Sequence, residues 1–160
     1  MIAEQPSLTM SDRLVERMPF RQSQATTTEP VDGVLRRFVP YAEAQATARD
    51  RVQPLYRLEP GWDSYGARPL DRTIGEFAEE LLTQLASDNL VPLPAVVPKS
   101  TGGLALEWHH RGSELAFEVS PHSVVVYFFD PDSGREWERN VRELQPHDLV
   151  EAFAAITREG

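Results

Sequence analysis

Two adjacent histidines, His109 and His110, are the side chains of this sequence with the clearest capacity for chemistry. Imidazole nitrogens bind zinc and exchange protons near neutral pH. The run from His109 through Arg111 and Gly112 predicts a turn between two strands, and His122 falls in the next loop, at the opposite end of the sheet. Neighbouring strand residues point to opposite faces, and no third ligand is evident. We therefore interpret the pair as exposed turn residues and predict no metal site.

Five glutamates occupy alternating positions in the predicted strands. They are Glu107, Glu114, Glu118, Glu136 and Glu138. In a meander they would gather on one face of the sheet together with Tyr127. Such a group could bind a cation, exchange protons or face an arginine-rich partner. Catalytic carboxylates need burial that separates their pKa values, and nothing in the sequence predicts burial here. A solvated face is the simplest interpretation, followed by partner binding and then by catalysis.

The segment Gly61–Pro69 places two aromatic residues in a predicted loop. Trp62 and Tyr65 could fill the core while the glycines permit sharp turns and Asp63 accepts hydrogen bonds from nearby amides. The same side chains, together with Arg68, could instead line a pocket for a ligand or a peptide. We favour the structural role, because burial of aromatic side chains contributes strongly to the stability of a small domain.

The motifs of common catalytic classes are missing from this sequence. The segment Thr101-Gly102-Gly103 leads into a predicted strand without a following Gly-Lys-Ser/Thr, so it is not a phosphate-binding loop. There is neither a Gly-x-Ser-x-Gly nucleophile turn nor a His-Glu-x-x-His zinc motif. The chain has no cysteine, which excludes disulfides, thiolate zinc sites and cysteine nucleophiles and favours a reducing compartment. We predict no catalytic residues and no cofactor.

Negative charge is concentrated in residues 41–160. The first 40 residues carry five acids and five arginines, so the net charge of −9 belongs to the remainder. Because proteins bind nucleic acids mainly through lysine and arginine, direct DNA or RNA binding by this part is disfavoured, whereas a basic protein partner is favoured. No apolar run approaches the ~20 residues that span a bilayer. The first 20 residues lack the pattern of a secretory signal, so we expect a cytoplasmic protein.

Three helices are predicted from apolar spacing and capping residues. The first begins at Tyr41, and Pro54 ends or kinks it. The second is capped by Asp71, carries one apolar stripe and stops near Asn89. The third closes the chain and begins near Pro146, a residue that the first turn of a helix tolerates.

Four strands are predicted between the second and third helices. Leu104–Trp108 and Leu115–Val119 alternate apolar with polar or small residues, which is typical of half-buried strands. Val124–Phe129 is apolar at every position and predicts a central strand covered on both faces. Asp130–Gly134 is a turn signal, and Arg135–Val141 returns as an edge strand. Edge pairing would allow a dimer, although the charges of that strand oppose it.

The predicted element order gives the fold class. Prolines keep residues 91–98 extended rather than helical. Helix, loop, helix, four strands and helix together indicate an α+β domain, in which an antiparallel meander packs on two or three helices. We assign this domain to residues 41–160. Residues 1–40 are polar and without sustained periodicity, apart from a possible short helix at Ser11–Met18. We expect them to form a flexible segment or an arm that orders on a partner.

Several of these segments resemble a widespread bacterial family of uncharacterised proteins. The resemblance rests on Gly61–Pro69, the helix after Asp71, Pro94–Pro98 and Gly102–His109. Those proteins share a Gly-Trp-Asp-x-Tyr-Gly-Ala-x-Pro signature followed by a Leu-Glu-Trp strand. The resemblance covers roughly residues 55–140 and implies a common fold, with no established activity or catalytic residues to carry over. It also implies an accessory, antitoxin-like or inhibitor role, because such proteins often occur among mobile-element and defence genes.

These observations favour a non-enzymatic protein-interaction module, antitoxin-like or defence-associated, that binds another protein through residues 1–40 or the acidic sheet face. The alternative is a small-ligand-binding or catalytic domain built on the Trp62 and Tyr65 loop. A weaker third hypothesis, nucleic-acid binding by residues 1–40, rests on five arginines, which are Arg13, Arg17, Arg21, Arg36 and Arg37. The candidate binding residues are Trp62, Asp63, Tyr65, Arg68, Glu107, Trp108, His109, His110, Arg36, Arg37 and Phe38.

Overall fold

A computed structural model of the protein describes residues 39–159. Most of the predicted N-terminal segment, including the candidate residues Arg36, Arg37 and Phe38, lies outside the described residues. The elements follow in chain order: α1 Tyr41–Val52, a 3₁₀ helix Gln53–Arg57, α2 Arg72–Asp88, β1 Ala95–Pro98, β2 Leu104–His110, β3 Ser113–Val119, β4 Val124–Asp130, β5 Arg135–Asn140 and α3 Pro146–Ile156. Within the described region no helix is both long enough and apolar enough to cross a membrane.

The five strands form one antiparallel sheet in the order β1-β2-β3-β4-β5. The predicted α+β class and the meander are confirmed, with one strand more than predicted. The additional strand is β1, whose four residues pair with β2 from Ala95 opposite Glu107 to Pro98 opposite Leu104. Proline cannot donate to a sheet, so a segment ending in Pro98 is tolerated as a strand at the edge. The prolines correctly predicted an extended chain, but they did not reveal that residues 95–98 pair with β2 as an edge strand.

The helix boundaries agree with the predicted signals. Helix α1 ends at Val52, and Pro54 falls in the following 3₁₀ helix. The Asp71 carboxylate caps α2 by accepting hydrogen bonds from the amides of Thr73 at 2.9 Å and Ile74 at 3.3 Å. Asn89 ends α2 in a left-handed conformation, with φ of 49°. Pro146 occupies the first turn of α3, which a reciprocal capping box between Gln145 and Asp148 closes.

The turn between β2 and β3 is shorter than predicted. Both His109 and His110 lie within β2, and only Arg111 and Gly112 form the turn, with φ of 52° and 86°. Two successive positive φ values match the twist of the flanking strands and characterise the tightest hairpin turns. The assignment of the histidines to the turn is therefore wrong. One residue that tolerates the left-handed region beside one glycine is enough to reverse the chain here.

The hydrophobic core lies between the inward face of the sheet and the helices. Trp108 occupies its centre with 3% of its surface exposed. Its indole N–H donates to the Pro92 carbonyl at 2.6 Å. Its ring meets those of Phe117 and Phe153 edge-to-face, with centroids 5.5 and 5.7 Å apart. This geometry is favourable for aromatic pairs. Trp108, a candidate binding residue from the sequence, is thus a core side chain that offers no surface to a partner.

The covering of β4 differs from the prediction. Its inward side chains are buried in the core, as shown by Val124, Val126 and Phe128. Its outward side chains Val125 and Phe129 remain half-buried, like the Tyr127 between them, and do not belong to the core formed by the described residues. The prediction of a central strand holds, because β4 pairs with β3 and β5, but full cover is found only on its inward face and the outward face is half-buried. An apolar strand in this position leaves aromatic surface on the outside of the sheet.

A buried carboxylate joins the end of the chain to the sheet. Asp130, at the end of β4, accepts hydrogen bonds from the hydroxyls of Ser113 at 2.9 Å and Ser133 at 2.7 Å. The guanidinium of Arg158, just beyond α3, lies 3.3 Å from the same carboxylate. These donors, led by Ser133, lower the pKa of Asp130 to about 2. The contacts hold the residues after α3 against the β4–β5 hairpin.

The cap of α2 gives the first testable prediction. We expect Asp71→Ala to lower the free energy of unfolding by about 1 kcal/mol, because the amides of Thr73 and Ile74 lose their acceptor. We expect Asp71→Asn, which keeps a capping oxygen, to stay close to the wild type. Urea denaturation followed by circular dichroism measures both variants. Equal losses in the two variants would show that the cap is not the cause.

The Asp130 cluster predicts a specific sensitivity to acid. Because folding lowers the pKa of this carboxyl from 3.8 to about 2, its contribution to stability is present above about pH 4 and is lost as the pH falls towards 2. We expect Asp130→Asn to destabilise the protein at neutral pH, with the difference from the wild type shrinking steadily below about pH 4. Urea denaturation across this range tests the idea. A difference independent of pH would contradict it.

Candidate functional site

The outward side of the sheet carries a coherent surface, which we call the acidic face. It combines carboxylates with an apolar centre from four neighbouring strands. Its members are Glu107, His109, Glu114, Ala116, Glu118, Val125, Tyr127, Phe129, Glu136 and Glu138. All are half-buried or exposed, and none belongs to the core formed by the described residues. The five glutamates singled out in the sequence thus lie on one face together with Tyr127.

Strand register arranges the centre of this face in a row. Glu107 on β2 lies opposite Ala116 on β3, which lies opposite Tyr127 on β4. Tyr127 in turn lies opposite Glu138 on β5. Adjacent strands are separated by about 4.8 Å, so the backbones of Glu107 and Glu138 are about 14 Å apart. The row therefore has a carboxylate at each end and the side chains of Ala116 and Tyr127 between them.

A second row repeats this pattern one step along the strands. His109 lies opposite Glu114, which lies opposite Phe129. Phe129 lies opposite Glu136 on the edge strand. Side chains two residues apart on one strand share a face, so Tyr127 and Phe129 are adjacent. The two rows place two aromatic rings side by side between carboxylates.

The edge strand β5 separates its charges by face. Glu136 and Glu138 point outward onto the acidic face. Its two arginines pair on the opposite side with α3, Arg135 with Glu151 at 2.9 Å and Arg139 with Asp148 at 2.9 Å. Period-two alternation in Arg135–Asn140 therefore sends bases towards the helix and acids towards solvent. No arginine of this strand neutralises the acidic face.

Little positive charge from the described residues compensates the face. The ammonium of Lys99 lies 2.8 Å from Glu118. His109 lies 3.5 Å from Glu107 and 3.9 Å from Glu114, contacts that carry charge only when the imidazole is protonated. With His109 neutral, five glutamates face one lysine, so four negative charges remain in excess. The face is therefore a region of negative potential with exposed carboxylates.

Tyr127 reports this potential from the middle of the surface. Its hydroxyl donates a hydrogen bond to the Glu136 carboxylate at 3.1 Å. The pKa of Tyr127 is raised, first by partial burial and then by Glu136, with further contributions from Glu114 and Glu138. Each of these carboxylates is negatively charged and therefore disfavours ionisation of the nearby phenol. The same field favours a cation brought by a partner.

The arrangement suits recognition better than catalysis. None of the glutamates of the face has the burial that separates a catalytic acid from a catalytic base. Among residues 39–159, no group of three or more His, Asp or Glu side chains is placed to hold a metal ion. What the face offers is an array of anions around an apolar floor. Guanidinium and ammonium groups on a folded protein or peptide are the natural complement.

The Gly61–Pro69 loop is stabilised by its own hydrogen bonds. Asp63 Oδ1 accepts from the amides of Tyr65 at 2.8 Å and Ala67 at 2.9 Å. These amides, that of Ala67 foremost, lower the pKa of Asp63. The indole N–H of Trp62 donates to the Arg68 carbonyl at 3.1 Å. The polar groups of Trp62 and Asp63 thus close the loop onto itself and do not converge on an open space.

The two aromatics of this loop have different environments. Trp62 is half-buried, whereas Tyr65 is 93% exposed, so the expectation that Tyr65 fills the core is wrong. Ala67, only 3% exposed, takes the inward position instead. The side chain of Arg68 is exposed, and its amide donates to the Ser100 carbonyl at 2.8 Å. Both bonds to the Asp63 carboxylate come from backbone amides, so the turn does not depend on the side chain of Tyr65.

The loop and the histidines do not form one site. The loop contacts the chain just before β2, through a parallel bridge between Arg68 and Thr101. His109 and His110 end β2, about 20 Å away at 3.3 Å per strand residue. They also diverge, since His109 points to the acidic face while the His110 ring bonds the Arg158 carbonyl at 2.9 Å. His122 is exposed in the loop between β3 and β4.

Comparison with known proteins adds no identification. No family model matches the chain, and neither a curated protein nor a solved structure shows significant similarity to it. The family resemblance drawn from Gly61–Pro69 and the Leu-Glu-Trp strand stays a prediction. The acidic face is therefore the feature of the chain that bears most directly on its function.

Sequence reasoning assigned His109 of the face to a turn and missed two apolar members, Val125 and Phe129. Both belong to the apolar run of β4, which predicts burial on both sides. A strand with apolar residues in every position has the same sequence pattern whether its outer side meets a helix or a partner molecule. The usable signal lay in the neighbours, because strands β3 and β5 alternate with glutamates on the side that Val125 and Phe129 share.

The raised pKa of Tyr127 allows a direct test of the potential on the face. We expect Glu136→Gln to lower this pKa, because it removes both a hydrogen-bonded carboxylate and its charge. Glu143→Gln, an exposed change outside the face, serves as the control with the same loss of charge. Titration of the tyrosine ring carbon signal by NMR between about pH 8 and pH 12 gives the value. An unchanged Tyr127 titration in Glu136→Gln would contradict the assignment.

Proposed function

We propose that this chain is a non-enzymatic protein-interaction module that binds a basic partner protein through the acidic face. The observation that carries the proposal is the pairing of aromatic surface with carboxylates on the side of the sheet that none of the described helices covers. Tyr127 and Phe129 supply the apolar centre, and the glutamates surround it. An apolar centre within a polar rim is the usual anatomy of a protein interface.

The composition of β4 argues against a merely solvated surface. A strand face that meets only water normally carries polar or charged residues. The outward positions of β4 instead carry Val125, Tyr127 and Phe129, all half-buried by their neighbours. Contact with a partner would remove this apolar surface from water, at a gain of about 25 cal/mol for each Å² buried. The glutamates would add orientation and a faster encounter with a basic surface.

The spacing of the carboxylates suggests what the partner presents. Glu107 and Glu138 stand about 14 Å apart on either side of Ala116 and Tyr127. A segment that crosses the strands in extended form covers about 13 Å in four residues. Two cations at positions i and i+4 with an apolar side chain between them would therefore match one row. Arginine suits this role, since its planar fork pairs with carboxylates through two hydrogen bonds.

The family resemblance refines the biological role. If the basic partner is a toxin or another defence protein, the acidic face would act as an inhibitor by covering a cationic working surface. This antitoxin-like assignment depends on the Gly61–Pro69 signature, whereas the binding proposal depends only on the face. The two parts can therefore fail separately.

The alternative, a small-ligand or catalytic site at the Gly61–Pro69 loop, has less support. The indole N–H of Trp62 and one carboxylate oxygen of Asp63 are engaged inside the loop. Tyr65 stands almost entirely in solvent. A ligand pocket needs several polar groups that converge on a concave space. The loop instead uses its polar groups to hold its own shape.

Neutralising the face should abolish partner capture. The face variant combines Glu107→Gln, Glu114→Gln and Glu138→Gln. The control variant makes the same change of charge at three exposed sites elsewhere, Glu43→Gln, Glu59→Gln and Glu143→Gln. Tagged full-length wild type should capture a basic protein from its native host, identified by mass spectrometry. We expect the control to retain that protein and the face variant to lose it.

The affinity for the identified partner gives the quantitative test. Exposed ion pairs contribute about 0.2–1 kcal/mol each, so loss of three should weaken binding by roughly tenfold. Binding by wild type should also fall with added salt, because the paired charges are exposed. Isothermal titration calorimetry measures both effects. Equal affinities of the face and control variants would exclude the acidic face as the binding site.

A further inference from the structure

A segment of the chain itself has the composition that the acidic face requires. Residues 13–21, which we call the arginine segment, read Arg-Leu-Val-Glu-Arg-Met-Pro-Phe-Arg. Three arginines recur at intervals of four, against one acid, Glu16. Apolar residues fill the intervals, with Val15 midway between Arg13 and Arg17 and Phe20 just before Arg21. The segment therefore combines a net positive charge with apolar side chains.

The interval between its arginines matches the interval between carboxylates on the face. Four residues of extended chain cover about 13 Å, and three strand spacings between Glu107 and Glu138 cover about 14 Å. Pro19, midway between Arg17 and Arg21, would then lie over Ala116 and Tyr127, which occupy the middle of that row. Because a proline and the residue before it disfavour helix, this pair of arginines has the sequence that favours the extended form required by the match.

The chain is long enough for the segment to reach the face. Seventeen residues lie between Arg21 and Val39, where the described part begins, and a connection of this length spans up to about 60 Å. A domain of this size has a radius of gyration of about 14 Å. The segment can therefore reach any side of the domain. Arg36 and Arg37 have no such range, because at most three residues, about 10 Å, connect them to Val39.

We propose that the arginine segment occupies the acidic face within the same molecule and competes there with the basic partner. This inference rests on the proposed function, for which it supplies a form of regulation. Tethering gives the segment an effective concentration in the millimolar range, so weak ion pairs suffice for substantial occupancy. A partner must then displace the segment, and its apparent affinity falls in proportion to the fraction of free faces.

The absence of cysteine allows a direct test on the full chain. A nitroxide attached through Ser11→Cys broadens amide signals of residues close to it in ¹⁵N spectra. We expect broadening at Ala116, Tyr127 and Glu138 and no comparable effect at Arg49, an exposed residue of α1, which packs on the other side of the sheet. About 1 M salt shortens the screening length to about 3 Å and should remove the effect. Broadening that is missing from the face, or spread evenly over the surface, would overturn the proposal.

Two arginine variants of the labelled chain locate the contact. The arginine-segment variant combines Arg13→Gln, Arg17→Gln and Arg21→Gln. We expect this variant to abolish the broadening. Arg36→Gln with Arg37→Gln should preserve it and serves as the control. Broadening that survives in the arginine-segment variant would contradict the proposal.

A mixed sample separates contact within one molecule from contact between copies. Protein that carries the nitroxide but no ¹⁵N is mixed at equal concentration with ¹⁵N-labelled protein that carries no nitroxide. We expect the face signals to stay sharp in this mixture. Broadening there would show that a second copy supplies the segment, and it would overturn the intramolecular proposal.

A peptide probe distinguishes failure of this inference from failure of the proposed function. The probe is a synthetic peptide of residues 11–22, added to the full-length wild type and to the arginine-segment variant. We expect the variant to bind the probe several-fold more tightly, because its face is free, and the face variant to bind it poorly. Equal, face-dependent binding by wild type and arginine-segment variant would reject self-occupancy while leaving the face as a binding site. No face-dependent binding by either would reject both.

Discussion

The register between β3 and β4 is the constraint on which the rest of this structure depends. With Phe117 opposite Val126, both side chains enter the core, while the next pair, Ala116 and Tyr127, faces outward. A shift of one residue would place the glutamates of β3 in the core and its leucine and phenylalanine in water. Burial of the inward set therefore fixes the outward set as well. The alternation that sends apolar side chains of β3 into the core therefore also sends its glutamates to the acidic face.

The face is negatively charged partly because the arginines of β5 form their ion pairs on the opposite side of the sheet. Helix α3 and the residues after it receive the arginines of β5 and place Arg158 against Asp130. These ion pairs consolidate the side of the sheet that carries the core. The glutamates of β5 point to the other side of the sheet, away from Arg135 and Arg139. Attachment of the last helix and creation of a negative surface are thus two consequences of the alternation in one edge strand.

The sequence was a good guide where a local signal determined the local structure. The alternation in β2 and β3, the cap at Asp71 and the proline at the start of α3 all predicted what the structure contains. Errors arose where the outcome depended on more distant parts of the chain. The edge strand β1 forms because β2 offers it a partner, and the outer side of β4 is open because no described helix crosses it. The gathering of the glutamates was predictable from alternation, but their apolar centre was not.

The signature that suggested a family has a structural explanation, which bears on where specificity lies. Asp63 and Trp62 close the loop with internal hydrogen bonds, and Gly66 has a φ of 90°, a conformation that favours glycine. Trp108, the aromatic of the second motif, fills the core. These residues maintain the fold and do not belong to the proposed binding surface. Except for Glu107, the carboxylates and aromatics of the acidic face lie outside both motifs. A shared signature should therefore predict a shared fold, while under the proposed function the choice of partner would depend on outward residues of β3, β4 and β5.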